Sequence, residues 1–321
     1  MSAARAESRI AGFVLLAITV VGWGLNWPAV KVLLHEWPPL FSRGVAGVAA
    51  SLLLAAIALG RGERLSFPVR ELPRLTFAAF TNVFAWMGFG TVAMKYLPIS
   101  EAALLAYTMP IWTMLFAWPA LGERPTLRGV AALVLAFAGL AVLFSGHGFA
   151  FDSGKLMGVA LALGAAVLFA FGSVTARKPL PLAPLVLVAW QVGLGCLPMI
   201  LIGLAIEHPD LGALSPRGWV LMVYMTLGPM AIAYVTWFAA LRRLEPAAAT
   251  TGSLGVPIVG VCAGALFLGD PFGLREVVAL VLTLAGVALA LQRAPSPSAT
   301  DPCTRHEADS HASNSGLTSR G

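Results

Sequence analysis

Charged side chains are scarce in this chain of 321 residues. Asp, Glu, Lys and Arg together make up 11% of the sequence, whereas hydrophobic residues make up 58%. A soluble globular domain carries about 25% charged residues, because its surface faces water. The shortage excludes a water-soluble enzyme, a DNA-binding module and a disordered scaffold, and it predicts an integral membrane protein.

Cysteine and histidine are also rare, with three and five residues respectively. No CxxC spacing occurs, and the histidines fall in connections or near the C-terminus rather than in apolar segments. We therefore predict no disulfide framework, no metal site, no cofactor and no enzyme activity. The alternative of a membrane-embedded enzyme would need clusters of such residues inside the apolar segments.

Long apolar runs are what the chain does have. A helix needs about 20 mostly apolar residues to cross a bilayer, and ten such runs follow one another. They are predicted at 10–32, 38–60, 73–94, 98–120, 126–145, 156–177, 183–206, 217–240, 245–268 and 273–292. The predicted fold class is all-α, with ten transmembrane helices embedded in the lipid bilayer.

The positions of lysine and arginine predict the orientation of these spans. Thirteen of them lie beside or between spans on the side of the N-terminus, against six on the other side. Basic residues accumulate in cytoplasmic connections, so both termini are expected in the cytoplasm, with the chain in the cytoplasmic (inner) membrane. The net charge of +6 then follows from the basic cytoplasmic connections and does not indicate a nucleic-acid partner.

Aligning the chain with itself at an offset of 147 residues reveals an internal repeat. Leu121-Gly122-Glu123 coincides with Leu268-Gly269-Asp270, and Pro110-Ile111 coincides with Pro257-Ile258. Each half holds five spans, an odd number, so the second copy is predicted to be upside down relative to the first. Inverted repeats of this kind build the two states of many secondary transporters, while a duplicated structural bundle is the alternative.

The repeat also predicts how the chain is divided. Two inverted five-helix repeats are expected, each ending where its fifth span ends. The predicted segments are a cytoplasmic N-terminus at 1–9, the first repeat at 10–145, a periplasmic linker at 146–155, the second repeat at 156–292 and a disordered cytoplasmic tail at 293–321.

Several short motifs strengthen this interpretation. They are Trp23-Gly24-Leu25-Asn26, Arg43, Tyr107-Thr108-Met109-Pro110, Leu121-Gly122-Glu123-Arg124-Pro125-Thr126, Leu244-Glu245-Pro246-Ala247 and Leu268-Gly269-Asp270. On these residues, and over about residues 10–292, the chain resembles the drug/metabolite transporter (DMT) superfamily, specifically its ten-helix EamA-like branch. The resemblance implies a carrier, usually an exporter of metabolites such as amino acids, with a central cavity between the two repeats.

The resemblance has one departure, in the first span. The small four-helix multidrug members carry a membrane-embedded Glu there, whereas this chain has Asn26. Exchange of cationic drugs for protons by that mechanism is therefore not expected. We predict a secondary transporter that exports small polar metabolites by alternating access, and a non-transporting accessory subunit is the alternative.

The candidate substrate-binding residues are the polar and aromatic side chains inside the spans, which are costly in lipid unless they face protein or water. They are Trp23, Asn26, Arg43, Asn82, Trp86, Tyr107, Thr108, Gln191, Tyr234 and Trp237. If the pseudo-symmetry holds, Trp86 converges with Tyr234 and Trp237 on one aromatic-walled cavity. The alternatives are aromatic packing between helices, and, for Asn26, a hydrogen bond that only joins helices.

Two charged residues come closest to the interior of the spans. The Arg43 guanidinium could hold an anionic group bidentately or could extend along its stem to the nearby membrane surface. Glu101 could pair with Lys95 or Arg43, could titrate during proton coupling, or could only complement the helix dipole of a first turn.

The prolines, two glycines and the remaining tryptophans allow predictions of helix kinks, close helix packing and an interfacial belt. Kinks are expected at the prolines inside spans, which are Pro28, Pro110, Pro119, Pro229 and Pro257. Gly260 and Gly264 suit close helix packing, either within the chain or between two copies in a homodimer. An interfacial belt is expected from the tryptophans near the predicted span ends, Trp37, Trp118 and Trp219.

Overall fold

The computed structural model describes residues 3–122, 126–145, 152–176 and 180–291. These ranges contain ten helices long and apolar enough to cross a membrane, which we call spans 1 to 10. Their bounds are Glu7–Leu33, Pro39–Gly60, Val69–Ala93, Ile99–Leu121, Leu127–Ser145, Ser153–Thr175, Pro184–Glu207, Pro216–Leu241, Ala248–Leu268 and Leu274–Leu291. Every bound lies within four residues of its predicted position.

Half of the spans are irregular. Span 3 runs through Val69–Glu71, Leu72–Ala79, the π-helical Phe80–Phe89 and Gly90–Ala93, while span 4 consists of Ile99–Ala106 and Met109–Leu121. Span 7 joins Pro184–Ile202 to the π-helical Gly203–Glu207, span 8 joins Pro216–Leu227, the π-helical Gly228–Ile232 and Ala233–Leu241, and span 9 consists of Pro246–Gly252 and Gly255–Leu268. The other spans are continuous, and span 1 belongs to the longer helix Ala3–Leu33.

Three of the five prolines inside spans coincide with these irregularities. Pro110 follows the break between Ala106 and Met109, and Pro257 follows the equivalent break in span 9. Pro229 lies in the π-helical turn of span 8. Proline lacks the N–H that the preceding turn would bond, so the ladder is interrupted there. The helix continues through Pro28 and Pro119.

Span 5 packs closely on span 10. A Cβ added to Gly139 would lie 2.8 Å from the Ala279 carbonyl oxygen, and one added to Gly286 would lie 2.7 Å from that of Ala132. The two glycines are 147 residues apart, as are the two alanines, so the contacts are reciprocal. Span 2 packs similarly on span 7, where the Cys196 side chain fills the space above Gly47. The inversion of the whole repeats stays a prediction.

The two ends of the bundle differ. We call the end with the connections after spans 1, 3, 7 and 9 the capped face, because carboxylates there bond the first backbone N–H groups of other spans. Asp270 Oδ2 accepts from Ile99 N at 2.8 Å, and Glu207 Oε2 accepts from Phe41 N at 3.0 Å. We call the opposite end, with the start of span 1, the connections after spans 2 and 8 and the end of span 10, the terminal face.

Glu36 makes the third of these cross-connections at the capped face. Its carboxylate accepts from the Ser215 hydroxyl at 2.7 Å and from Ser215 N at 2.8 Å, at the start of span 8. The hydroxyl bond, then the backbone bond, and then the charge of Arg217 hold the pKa of Glu36 below its ordinary value, against the opposing effect of desolvation. The first two spans are thereby joined to span 8.

One predicted element of the interfacial belt is wrong. Trp37 is 5% exposed, and its Nε1 donates to the Asp210 carbonyl oxygen at 2.9 Å. Its ring meets the rings of Phe41 and Trp219 with centroids 5.0 and 6.1 Å apart. Packing against the connection after span 7 and the starts of spans 2 and 8 therefore buries this tryptophan, whereas Trp118 and Trp219 are half exposed.

Several predicted features fall outside the described residues. They are the tail at 293–321, most of the linker at 146–155, the start of the N-terminal segment 1–9, and Glu123 with the turn around it.

Candidate functional site

A cavity of about 420 Å³ lies between the spans. Eight of the ten predicted substrate-binding residues line it, namely Trp23, Asn26, Arg43, Asn82, Trp86, Tyr107, Tyr234 and Trp237. The structure thus brings together side chains from spans 1, 2, 3, 4 and 8. Their role toward a substrate stays a prediction.

Aromatic rings form two groups on the cavity wall. Trp23 meets Tyr234 and Trp237, with ring centroids 5.5 and 5.6 Å apart. In the other group, Tyr107 lies 6.5 Å from Trp27 and 6.2 Å from Trp86, measured between centroids. Edge-to-face and tilted pairs at these distances are favourable, so the rings hold one another in place around the cavity.

Polar side chains of the cavity bond to side chains of neighbouring helices. Arg43 Nη1 donates to Asn26 Oδ1 at 3.2 Å, and Asn82 Nδ2 donates to Gln191 Oε1 at 3.5 Å. Asn26 thus joins two helices and lines the cavity at the same time, and its role toward a substrate stays a prediction. Arg43 is 6% exposed. Its predicted alternative, extension to the membrane surface, is wrong, because the guanidinium turns inward to Asn26.

The remaining two predicted residues do not line the cavity. The Thr108 hydroxyl donates to the Leu105 carbonyl oxygen at 2.6 Å and accepts from Trp112 Nε1 at 3.1 Å. The Thr108 hydroxyl therefore makes its hydrogen bonds within span 4, at the break between Ala106 and Met109. Gln191 lies behind Asn82 and accepts a hydrogen bond from its amide.

Glu101 lies in the first turn of span 4, outside the cavity lining. It is 2% exposed and pairs with Lys155 Nζ at 3.1 Å from Oε1. The sequence suggested Lys95 or Arg43 as its partner. The distant Lys155 is found instead because the start of span 6 packs beside the start of span 4. Its role in proton coupling stays a prediction.

Helix irregularities cluster at the cavity. Asn82 and Trp86 lie in the π-helical part of span 3, and Pro229 and Met230 lie in the π-helical turn of span 8. Trp23 Nε1 donates to the Pro229 carbonyl oxygen at 2.9 Å, which satisfies a backbone group of that turn. The breaks in spans 4 and 9 also line the cavity. Such irregular turns in helices often mark functional sites.

The cavity is closed toward the capped face. Val30, Thr91 and Met94 line that end of it and are 2%, 3% and 4% exposed. Beyond them lies the largest cluster of buried apolar side chains, which includes Leu33 and Leu104. The lining residues nearer the terminal face, among them Thr250, Ser253 and Leu291, are partly exposed. Toward the terminal face, part of the cavity lining is therefore exposed.

Sequence reasoning missed several lining residues. Phe169 lies beside Trp86 with ring centroids 5.1 Å apart, although nothing in span 6 singled it out. Thr250 and Ser253 could have been found from Pro257, because the break that precedes this proline exposes them to the cavity. Trp27 was not missed in the same way, because its spacing already places it on the helix face of Trp23 and Asn26.

A family model matches the chain twice, at residues 10–145 and 156–292, and it describes the EamA-like transporter family. The chain belongs to this family. It is thus a multi-pass membrane transporter, with ten apolar helices in the described ranges. The matched segments coincide with the two predicted repeats.

Curated relatives carry names of the same kind. The chain is 29% identical over 296 residues to a "Probable amino-acid metabolite efflux pump" of Salmonella typhimurium, covering 87% of this chain and 94% of the relative. It is 28% identical to the "Uncharacterized transporter YvbV" of Bacillus subtilis, covering 86% and 90%. It is 29% identical to the "Uncharacterized inner membrane transporter YedA" of Escherichia coli, covering 86% and 88%.

A solved crystal structure shares the fold. Its TM-score with this chain is 0.63 at 22% identity, and the match covers 89% of this chain and 96% of the other. The fold of this transporter has therefore been determined by experiment in another protein.

Proposed function

We propose that this transporter exports a small polar metabolite, such as an amino acid, across the cytoplasmic membrane by alternating access. The observation that carries the proposal is the aromatic-walled cavity with a few convergent polar groups, the usual form of a small-molecule site. Trp23, Asn26, Asn82 and Trp86 are its proposed substrate contacts.

The asymmetry of the cavity supports alternating access. Its lining is partly exposed toward the terminal face, which the lysine and arginine distribution predicts to be cytoplasmic, and the cavity is closed toward the capped face. An exporter loads its substrate from the cytoplasm, so this conformation is the loading state. The second state would close the terminal face and open the capped face, as inverted repeats allow.

The test is transport by the purified protein in liposomes, with labelled amino acids offered as a panel. Trp86→Ala and Asn26→Leu each remove one proposed contact and are expected to lower the rate of counterflow at least about tenfold, the effect of losing roughly 1.4 kcal/mol of interaction. Trp118→Ala is the matched control, because that tryptophan is half exposed and lies outside the cavity.

The outcomes of this test distinguish an error in the site, an error in the function and an effect on stability. Unchanged counterflow in both cavity variants would contradict the site, and absence of any carried solute across the panel would contradict the function. Equal losses in Trp86→Ala and Trp118→Ala would show that tryptophan removal acts through stability rather than through the site.

A further inference from the structure

The charge of the cavity wall is set by a single residue. Arg43 is the one Lys, Arg, Asp or Glu among the residues that line it, all of which lie in the described part of the chain. Its side chain is almost fully buried, and Nε has no hydrogen-bond partner among the described residues. Nη1 bonds to Asn26, whose amide is neutral.

No described carboxylate compensates this charge. None lies within 4.0 Å of the guanidinium, and the nearby titratable groups are the Cys196 thiol and the Tyr234 phenol, both neutral at pH 7. A buried ion without a partner is costly, and intramembrane arginines are usually paired. Arg43, which lines the cavity, therefore has one donor without a described partner and a charge that no described carboxylate neutralises.

Two helices are broken at the same cavity. The half-helices Met109–Leu121 and Gly255–Leu268 both begin at the cavity, where Met109 and Leu254 contribute to the lining. In the first turn of each half-helix a proline, Pro110 or Pro257, has no N–H, and the N–H groups of Ile111 and Val256 are bonded to the carbonyl oxygens of Thr108 and Ser253 at 2.9 and 3.0 Å. In transporters with discontinuous helices, the starts of half-helices face anionic parts of the substrate.

We propose that the substrate is a small organic acid whose carboxylate binds Arg43, with its apolar part between the two aromatic groups of the wall. This inference rests on the proposed function and narrows its substrate class. One guanidinium matches one carboxylate, since its planar fork bonds both oxygens. A dianion would leave one charge unbalanced, and a cation would meet Arg43 without any carboxylate to bind it.

The experiment measures direct binding to the purified full chain, so that it does not depend on transport. Leucine is compared with leucinamide, and 4-methylpentanoate with 4-methylpentanamide, since each pair differs at the carboxyl group alone. The wild-type protein is expected to bind each acid at least about tenfold more tightly than its amide. Equal affinity within both pairs would overturn the proposal, and this arm needs no variant.

Variants then assign the preference to Arg43. Arg43→Gln is expected to bring the acid-to-amide affinity ratio close to one, and Arg43→Lys to keep part of it, because the charge stays and the fork is lost. Arg128→Gln, an exposed arginine at the start of span 5, is the matched control and keeps the wild-type ratio. A full preference in Arg43→Gln would overturn the proposal.

This test is distinct from that of the proposed function. Preference for acids in a protein that carries no solute would contradict transport while the anion site stands. Counterflow of leucinamide as fast as that of leucine, in both the wild type and Arg43→Gln, would contradict the anion site while the transporter stands.

Discussion

Hydrogen bonds and apolar packing close the capped face, whereas the cavity lining toward the terminal face is partly exposed. At the capped face, Glu36, Glu207 and Asp270 bond the starts of spans 8, 2 and 4, and the largest buried apolar cluster lies beneath them. At the terminal face, the cavity lining is partly exposed and Arg242 and Arg243 are exposed. The bundle is therefore held together at one end, and changes at the two ends are expected to have unequal effects.

The largest difference is expected from matched leucine truncations. Leu33 is 1% exposed in the large cluster near the capped face, and Leu16 is 4% exposed in a small cluster near the terminal face. Leu33→Ala is expected to lower the free energy of unfolding by about 2 kcal/mol or more, because packed neighbours cannot fill the cavity it leaves. Leu16→Ala should cost less, since the start of span 9 beside it can move inward.

Reversible denaturant unfolding in detergent micelles measures both truncations. If Leu16→Ala lowers the free energy of unfolding as much as Leu33→Ala or more, the expected difference in stability between the two ends is contradicted.

A smaller effect is expected from the cap on span 4. Asp270→Ala leaves Ile99 N without its acceptor, so we expect a loss of about 1 kcal/mol in unfolding free energy, the usual value of a helix cap. Glu245→Ala at the terminal face is the control, because Glu245 is exposed and makes no side-chain cap bond. A stability change for Asp270→Ala no larger than that of the control would contradict the role of the carboxylate as a cap.

The smallest effect is the pH dependence from Glu36. Its pKa is lower in the folded chain than its ordinary value, so the unfolded chain takes up this proton more readily. The stabilisation is present above the ordinary pKa and is lost as the pH falls from about 5 toward 3.

Glu36→Gln isolates this contribution, because glutamine keeps the shape without the titratable group. The thermal midpoint of the wild type should fall more steeply than that of Glu36→Gln over this acid range. Parallel curves for the two proteins would contradict the assignment to Glu36.

The helices were predictable from the sequence because the length and apolar character of a span are local properties. Every span was located to within four residues, and the prolines at 110, 229 and 257 mark three irregular turns. The π-helical stretch Phe80–Phe89 in span 3 contains no proline, so no residue type indicated it. Contacts with other helices determine whether such a π-helical stretch forms.

The site was predictable in its residue types and less so in its contacts. Trp86, Tyr234 and Trp237 could be brought together by the repeat alone. The inward turn of Arg43, the pairing of Glu101 with Lys155 and the burial of Trp37 all depend on partners 17 to 173 residues away. A single sequence contains no signal for such pairs, because many partners of equal chemistry are available.

Access to the cavity tests the central claim, that this conformation is sealed at the capped face and open at the terminal face. The measurement is the rate at which a polar thiol reagent modifies Ser253→Cys and Thr91→Cys, each in a chain whose three native cysteines are replaced. Both residues line the cavity, but Thr91 is 3% exposed at its closed end and Ser253 is partly exposed. We predict modification of Ser253→Cys on the order of tenfold faster, and slower in the presence of leucine. Modification of Thr91→Cys as fast as that of Ser253→Cys would contradict the account.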